Sequence, residues 1–400
     1  MDKTFEPTRI IAIDLSDPPE VLETADPTTH NTYDRAFTLV RSHGQVLGVI
    51  EFDLPITYED YMPLIRQRFI IPETPAPTPP PLTVSISVVI CTRDRTEDLK
   101  KCLPSILEQE GAEYEVIVVD NAPSTEDTRL YVESLSSDRL RYIHEPTPGL
   151  SVARNTGLDA ATGEIIAFTD DDALASADWL HRLVYVFETD DQVGCVTGLT
   201  LPAELESEAQ VMFERFGGFN KGRGFEPIVW SMKTHAETEP LFPYLAGQFG
   251  AGVNMAYRTE LIRDLGKFDD ALGAGTPAKG AEDIDMFFRV IVEGYKLVYE
   301  PNAVLYHHHR RNYDGLAKQL QGSGKAFGAF VMKCIIDRPS RLLYFLGQVP
   351  FTIRYLFGKD SARNENKQDE FPQELANGEL LGMAQGPFLY LYSRYRRHNA

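Results

Sequence analysis

The sequence is poor in cysteine, has no long apolar run and carries no surplus of basic residues. Its four cysteines, Cys91, Cys102, Cys195 and Cys334, show neither C-x-x-C spacing nor a pairing pattern. That excludes a disulfide scaffold and fits a reducing compartment, with each thiol acting as a small apolar side chain. No window reaches the ~18 apolar residues that a membrane span needs. The opening MDKTFEPTRIIAIDL lacks the basic stretch and long apolar run of a signal peptide, so a cytoplasmic location is expected. With 39 Lys+Arg against 59 Asp+Glu the net charge is −20, which argues against nucleic acid as a partner.

What is present is globular. Apolar residues make up 43% and charged residues 24% of 400, enough chain for two or three domains with a sizeable core. The charge is uneven: residues 305–400 carry 14 Lys/Arg and 8 Asp/Glu, a basic tail on an acidic body.

Residues 9–15 and 36–52 read as strands, the second broken by a hairpin turn at His43-Gly44-Gln45, and 57–70 reads as a helix. PETPAPTPPPL at 72–82 holds six prolines and favours a stiff extended spacer. Expected boundaries are therefore a small α+β unit over 1–71, a linker over 72–82, a main α/β domain over 83–312 and a helical, basic-aromatic extension over 313–400. In the main domain SISVVIC (85–91), YEVIVVD (114–120), LRYIH (140–144) and EIIAFTD (164–170) read as strands. Helices are expected near 96–109, 125–135, 151–161 (capped by Ser151) and 177–189. Strands alternating with helices imply a mostly parallel sheet with helices on both faces, and ligands in such sheets bind beyond the carboxyl ends of the strands.

The residues that end these strands are Thr92-Arg93-Asp94-Arg95, Asp120-Asn121 and Asp170-Asp171-Asp172. One aspartate after a strand is ordinarily a turn or cap residue. Three in a row repel one another unless a cation neutralises them, which points to a metal. Taken together, SVVICTRDR, YEVIVVDNAPS, PGLSVARNTGL, GEIIAFTDDDA and GAEDIDMFFRV, in this order over about 84–305, resemble family 2 glycosyltransferases of the Rossmann-like nucleotide-diphospho-sugar (GT-A) fold. The resemblance covers a little over half the chain.

The resemblance implies roles for matching residues. Cys91, Thr92 and Arg93 correspond to the loop cradling base and ribose, although many relatives have Tyr-Asn where this chain has Arg93-Asp94. Asp120 resembles the carboxylate that accepts uracil N3–H, and Arg154 the arginine near base and diphosphate. Asp170 and Asp171 fall in the ribose-contacting part of a DxD-type element, and Asp172 in its metal-binding position. Glu282-Asp283 resembles the ED motif, with Asp283 as catalytic base; the bland reading of this pair is a helix cap. After the strand KLVYEPNAVLY (296–306), His307 is the first choice to complete the metal site. His309 would share its face in an extended chain. The implied cofactor is Mn²⁺ or Mg²⁺, which prefer hard oxygen ligands and tolerate imidazole.

The function this implies is transfer of a sugar, with inversion, from a UDP- or dTDP-sugar to a glycan, lipid-linked or small-molecule acceptor. One rival is a nucleotidyltransferase, which usually shows a glycine-rich loop after its first strand; CTRDRTEDLKKC has no glycine. Another is an inactive scaffold, yet all the carboxylates are present. Trp230 is open between sugar stacking and a buried anchor. Residues 305–358 carry 8 Lys/Arg, 2 Asp and nine Phe/Tyr. LLYFLGQVPFTI (342–353) is too short to cross a bilayer. The segment suits either peripheral contact with an anionic membrane, at its inner face, or a helical pair packed on the acidic body.

Overall fold

The computed structural model describes residues 5–74, 80–235, 241–358, 361 and 371–399. Part of the proline-rich segment, 75–79, lies outside them. The N-terminal unit is a three-stranded sheet of β1 (Thr8–Asp14), β2 (Arg35–Ser42) and β3 (Gln45–Asp53), with helix α1 (Tyr58–Arg68). β1 runs parallel to β2, and β2 antiparallel to β3. His43 (φ 51°) and Gly44 (φ 77°) make the expected two-residue turn. The unit rests against the body. Val46 N–H donates to Asn302 Oδ1 at 2.8 Å, Thr8 N–H to Leu205 O at 3.0 Å, and Tyr33 OH to Glu206.

The body is one nine-stranded sheet. Its first parallel strands are β4 (Ile86–Thr92), β5 (Tyr114–Asn121), β6 (Leu140–Glu145) and β7 (Ile165–Asp170). They alternate with α2 (Thr96–Leu107), α3 (Asp127–Ser134) and α4 (Leu150–Ala160). Next come β8 (Ala173–Ala175), α5 (Trp179–Thr189), β9 (Val193–Pro202), α6 (Glu208–Arg215), β10 (Ile228–Trp230) and β11 (Met255–Arg258). Helix α7 (Glu282–Val292) and strand β12 (Lys296–His307) complete it. The strand order is β8-β12-β9-β11-β7-β4-β5-β6, with β10 also paired to β12. The long strands run one way, and the short β8, β10 and β11 oppose them. Every residue of β4 and β9 is buried, as continuous β-branched runs require when helices cover both faces.

Helix α4 is capped differently from the expectation. Gly149 (φ 139°) stands at the cap, and Ser151 lies inside the first turn, donating its hydroxyl to Leu272 O at 2.9 Å. A glycine tolerates that φ, and the freed serine ties α4 to the loop before α7.

The tail forms α8 (Tyr313–Asp337), α9 (Arg341–Gly347), α10 (Val349–Phe357) and α11 (Gln373–His398). α8 and α11 pack backbone to backbone: a Cβ on Gly324, Gly328, Gly382 or Gly386 would stand 2.0–2.4 Å from a carbonyl oxygen of the facing helix. α11 also grips the body, Tyr390 OH donating to Asp269 Oδ2 at 2.7 Å and Arg397 Nη2 to Pro148 O at 2.8 Å. Among the described residues no helix is long and apolar enough to cross a membrane.

Candidate active site

In-register pairing of the parallel strands sets the first geometry. Thr92 of β4 sits opposite Asp120 of β5, and Cys91 opposite Asp170 of β7, so the three strand ends open onto one edge. Asp120 is fully buried. Its Oδ2 accepts from Tyr142 OH at 3.1 Å, and its Oδ1 has no partner among the described residues. Burial raises this carboxyl, against the opposing effect of Tyr142. Cys91 is buried and its thiol is pushed up to about 12 by desolvation, so it offers shape rather than reactivity. Arg93 is half exposed and 4.0 Å from Asp94. Asp94 holds the next loop through Ser124 N–H at 2.7 Å.

Asp170 turns to Arg154, while Asp171 and Asp172 share Arg95. Asp170 Oδ1 lies 3.3 Å from Arg154 Nη2. Asp171 accepts from Thr92 Oγ1 at 2.7 Å and from Arg95 Nη1 at 2.8 Å; burial still pushes its carboxyl up to about 7. Asp172 faces His307 Nε2 at 3.1 Å with one oxygen and Arg95 Nη2 at 2.9 Å with the other. Burial opposes ionisation there, but the imidazole and guanidinium outweigh it and hold the carboxyl far below its ordinary value. The antiparallel β8–β12 register, with Ala173 opposite His307, brings Asp172 beside the histidine. His307 is in turn raised by Asp172 against the effect of burial.

One ligand atom each from Asp170, Asp172 and His307 lies within 4.8 Å of the others. Two carboxylates and an imidazole suit a divalent ion such as Mn²⁺. This differs from the sequence expectation in two ways. Asp170 joins the cluster, and His309 leaves it. His309 does lie on the side of His307, the two rings 5.7 Å apart, but its Nε2 is engaged away from the aspartates. His309 Nε2 instead meets Glu214 Oε1 of α6 at 2.7 Å, between the rings of Phe213 and Phe219.

Arg154 is the hub. It is 2% exposed and reaches Glu282 Oε1 at 2.8 Å, Asp170 at 3.3 Å and Gly252 O at 3.1 Å. It therefore joins the strand-end aspartates to the start of α7. Glu282 is buried and its carboxyl is pushed up to about 7 by burial and by Asp283, against Arg154. Asp283 is half-buried; its Oδ2 accepts Gly252 N–H and its Oδ1 accepts Ile284 N–H, both at 2.8 Å. A Cβ on Gly252 would stand 3.0 Å from Asp283 Oδ2, so the glycine permits this approach. The loop that delivers the pair has Lys279 at φ 71° and Ala281 at φ 76°, conformations that cost energy for side-chain-bearing residues and cluster at functional sites.

Glu282, Asp283, Arg154 and Asp170 open on a cavity of about 880 Å³ whose far wall is α8, α11 and Tyr355 of α10. Sequence reasoning named Arg95 in the strand-end cluster without giving it a role, and overlooked Glu214 and Gly252. Arg95 follows the matched Arg93-Asp94 by one residue, and Gly252 stands in a G-x-G; neither pattern is informative alone. Trp230 is 8% exposed and packs on Phe249 at 5.0 Å, as a buried anchor.

Residues 87–266 match the family described as glycosyl transferase family 2. This segment is a family 2 glycosyltransferase domain. Relatives of the domain include the pre-mycofactocin glycosyltransferase of Mycobacterium tuberculosis, 28% identical over 254 residues, 63% of this chain and 49% of that protein. The succinoglycan biosynthesis protein ExoM of Rhizobium meliloti is 28% identical over 255 residues, 62% of this chain and 75% of that protein. The chain thus spans about half the length of the first of these. Among solved structures, the mannosyltransferase PcManGT from Pyrobaculum calidifontis, in complex with GDP-Man and Mn²⁺, aligns with a TM-score of 0.49 at 22% identity, over 80% of this chain and 84% of that one. The matched residues end before Glu282-Asp283, His307 and the far cavity wall, which the following elements supply.

Proposed function

We propose that the chain is a metal-dependent inverting glycosyltransferase that moves a sugar from a nucleotide-diphospho-sugar, a UDP- or dTDP-sugar first, to a hydroxyl of a glycan, lipid-linked or small-molecule acceptor. The observation that carries this is the Arg154 bridge. It holds the Asp170 end of the strand-edge cluster and the Glu282-Asp283 pair on one cavity.

In this reading the unpartnered Oδ1 of Asp120 accepts the N3–H of a pyrimidine, which uracil and thymine both offer. Cys91, Thr92 and Arg93 border the base and ribose. Asp170, Asp172 and His307 would hold Mn²⁺ or Mg²⁺, which would supply positive charge for the leaving diphosphate. Asp283 takes the proton of the acceptor hydroxyl as its oxygen bonds to the anomeric carbon. The carbon–oxygen bond to the diphosphate breaks in the same displacement, and its electron pair departs with the nucleotide. Gly252 N–H and Ile284 N–H fix the carboxylate of Asp283 for this, and Arg154 fixes Glu282 beside it.

Peripheral contact with an anionic membrane belongs to the same reading. Leu343 is 74% and Phe357 64% exposed on α9 and α10, with Leu346, Phe351 and Ile353 also exposed, next to Arg338, Arg341 and Arg354. Apolar side chains flanked by cations suit an anionic lipid surface.

The test is a donor panel. UDP-, dTDP- and GDP-sugars are incubated with Mn²⁺ and release of nucleotide is followed, with Asp172→Asn and excess chelator as controls. Release from a UDP- or dTDP-sugar that both controls abolish is expected. Full activity in chelator, or in Asp172→Asn, would sink the metal assignment.

A further inference from the structure

The α8 side of the cavity brings the basic charge of the tail against the acidic body. Beyond Arg154 and the carboxylates Asp170, Glu282 and Asp283, the charged residues that line it among the described ones are Lys221, Lys279, Arg310, Lys318 and Lys325, with one acid, Glu379. In a chain of net charge −20 this is a local reversal. Three of these cations border one stretch of α8. Lys318 and Lys325 lie four residues before and three after Gly322 on α8, so they share its face. A Cβ on Gly322 would stand 3.9 Å from Lys279 Cβ, and one on Gly280 would stand 3.2 Å from Ala326 Cβ. The loop that carries Glu282 and Asp283 is therefore pressed onto α8 with Lys279 over Gly322, between the two helix lysines.

Among the described residues no carboxylate pairs with these three lysines. Lys325 Nζ donates to the neutral Gln321 Oε1 at 3.0 Å. Among the described residues Lys279 and Lys318 have no carboxylate partner within 4.0 Å, and Lys279 keeps a left-handed backbone at φ 71°. Like charges gathered on one face repel, and a strained residue that adds another is retained against two costs. An anion arriving from solvent would remove the repulsion. It would not be the nucleotide's base half, because Asp120, Cys91 and Thr92 lie outside this cavity's lining.

Resting on the glycosyl-transfer reading, we propose that Lys279, Lys318 and Lys325 bind a phosphate group carried by the acceptor, so that its hydroxyl is presented to Asp283 from the α8 side. The acceptor class is then a phosphorylated one, either a soluble sugar phosphate or a lipid-linked phosphate; the exposed apolar face of α10 adjoins the same cavity through Tyr355.

The experiment is calorimetry on the full chain with three probes: inorganic phosphate, farnesyl phosphate in detergent micelles and farnesol as the uncharged control. UDP with Mn²⁺ is titrated separately. Phosphate-bearing probes are expected to bind wild type and to bind the Lys318→Gln/Lys325→Gln and Lys279→Gln variants at least about 10-fold more weakly, a loss that salt reproduces. UDP affinity should stay within about twofold. Farnesyl phosphate binding well above inorganic phosphate assigns the anion to a lipid-linked acceptor; equal binding assigns it to a soluble one. The proposal is overturned if wild type binds neither phosphate, if the variants bind them equally well, or if UDP binding falls in parallel, which would give the lysines to the donor diphosphate. Failure of wild type to bind any nucleotide would strike the glycosyl-transfer reading instead, and the two failures are read from different titrations.

Discussion

Arg95 places one guanidinium nitrogen 2.8 Å from Asp171 and another 2.9 Å from Asp172, so a single side chain neutralises the last two members of the aspartate run. It does so from the loop after β4, across the sheet edge from β7. Removing it strands two buried carboxylates. Arg95→Ala should lower stability by about 1–3 kcal/mol, the usual penalty for leaving a buried hydrogen-bonding group unsatisfied. Mn²⁺ should restore more of the thermal midpoint in the variant than it adds to wild type. Equal midpoints for the two proteins without metal would show that Arg95 is not the countercharge.

Asp120 is buried with one oxygen unpartnered. Replacing it by Asn turns one acceptor into a donor and should weaken UDP and dTDP by about 10–100-fold, the range for a hydrogen bond to a charged group. Calorimetry with UDP, dTDP and GDP reads this directly. Wild type that prefers GDP contradicts the pyrimidine assignment.

Asp283→Asn should slow transfer by about 10²–10⁴, as loss of a general base does, with UDP affinity nearly unchanged. Glu282→Gln should slow it less. NMR of the product reports the anomeric outcome: an α-linked product from an α-linked donor would refute inversion. Near-normal turnover in Asp283→Asn would place the base elsewhere.

The Glu282 carboxyl, at about 7 instead of the ordinary 4.5, makes folding pH-dependent. The folded state holds this proton more tightly than the unfolded chain does. Its contribution is therefore complete below about pH 4.5 and is lost as the pH rises through about 7. At about 1.4 kcal/mol per unit, up to about 3 kcal/mol is involved. Denaturant unfolding in chelator at pH 5 and pH 8 should show this fall in wild type and a smaller one in Glu282→Gln. Identical falls would mean that Glu282 does not titrate in this window.

Liposome sedimentation tests the tail. Pelleting with acidic vesicles at low salt, weakened by salt and by Leu343→Glu/Phe357→Glu, is expected. No lipid-dependent pelleting would leave α9 and α10 without a membrane role.

The strand-end clusters were legible in the sequence because a strand buried on both faces needs an unbroken β-branched run, and the residue that ends it must be polar. Asp120, Asp170 and the Glu282-Asp283 pair follow from that local logic and from the order of five motifs. What lies between distant segments was not legible. Strand alternation set His309 beside His307, and the rings are 5.7 Å apart, but α6 brings Glu214 to its Nε2 from 95 residues away. Arg95 and Gly252 complete the site through contacts of 77 and 31 residues' separation; the strand-end pattern named Arg95 but not its partners, and nothing local marks Gly252. The basic group of Lys279, Lys318 and Lys325 exists only because α8 folds back over the loop before α7. Periodicity records which face of an element is buried. Which element covers that face, and hence which charges meet, is decided by packing.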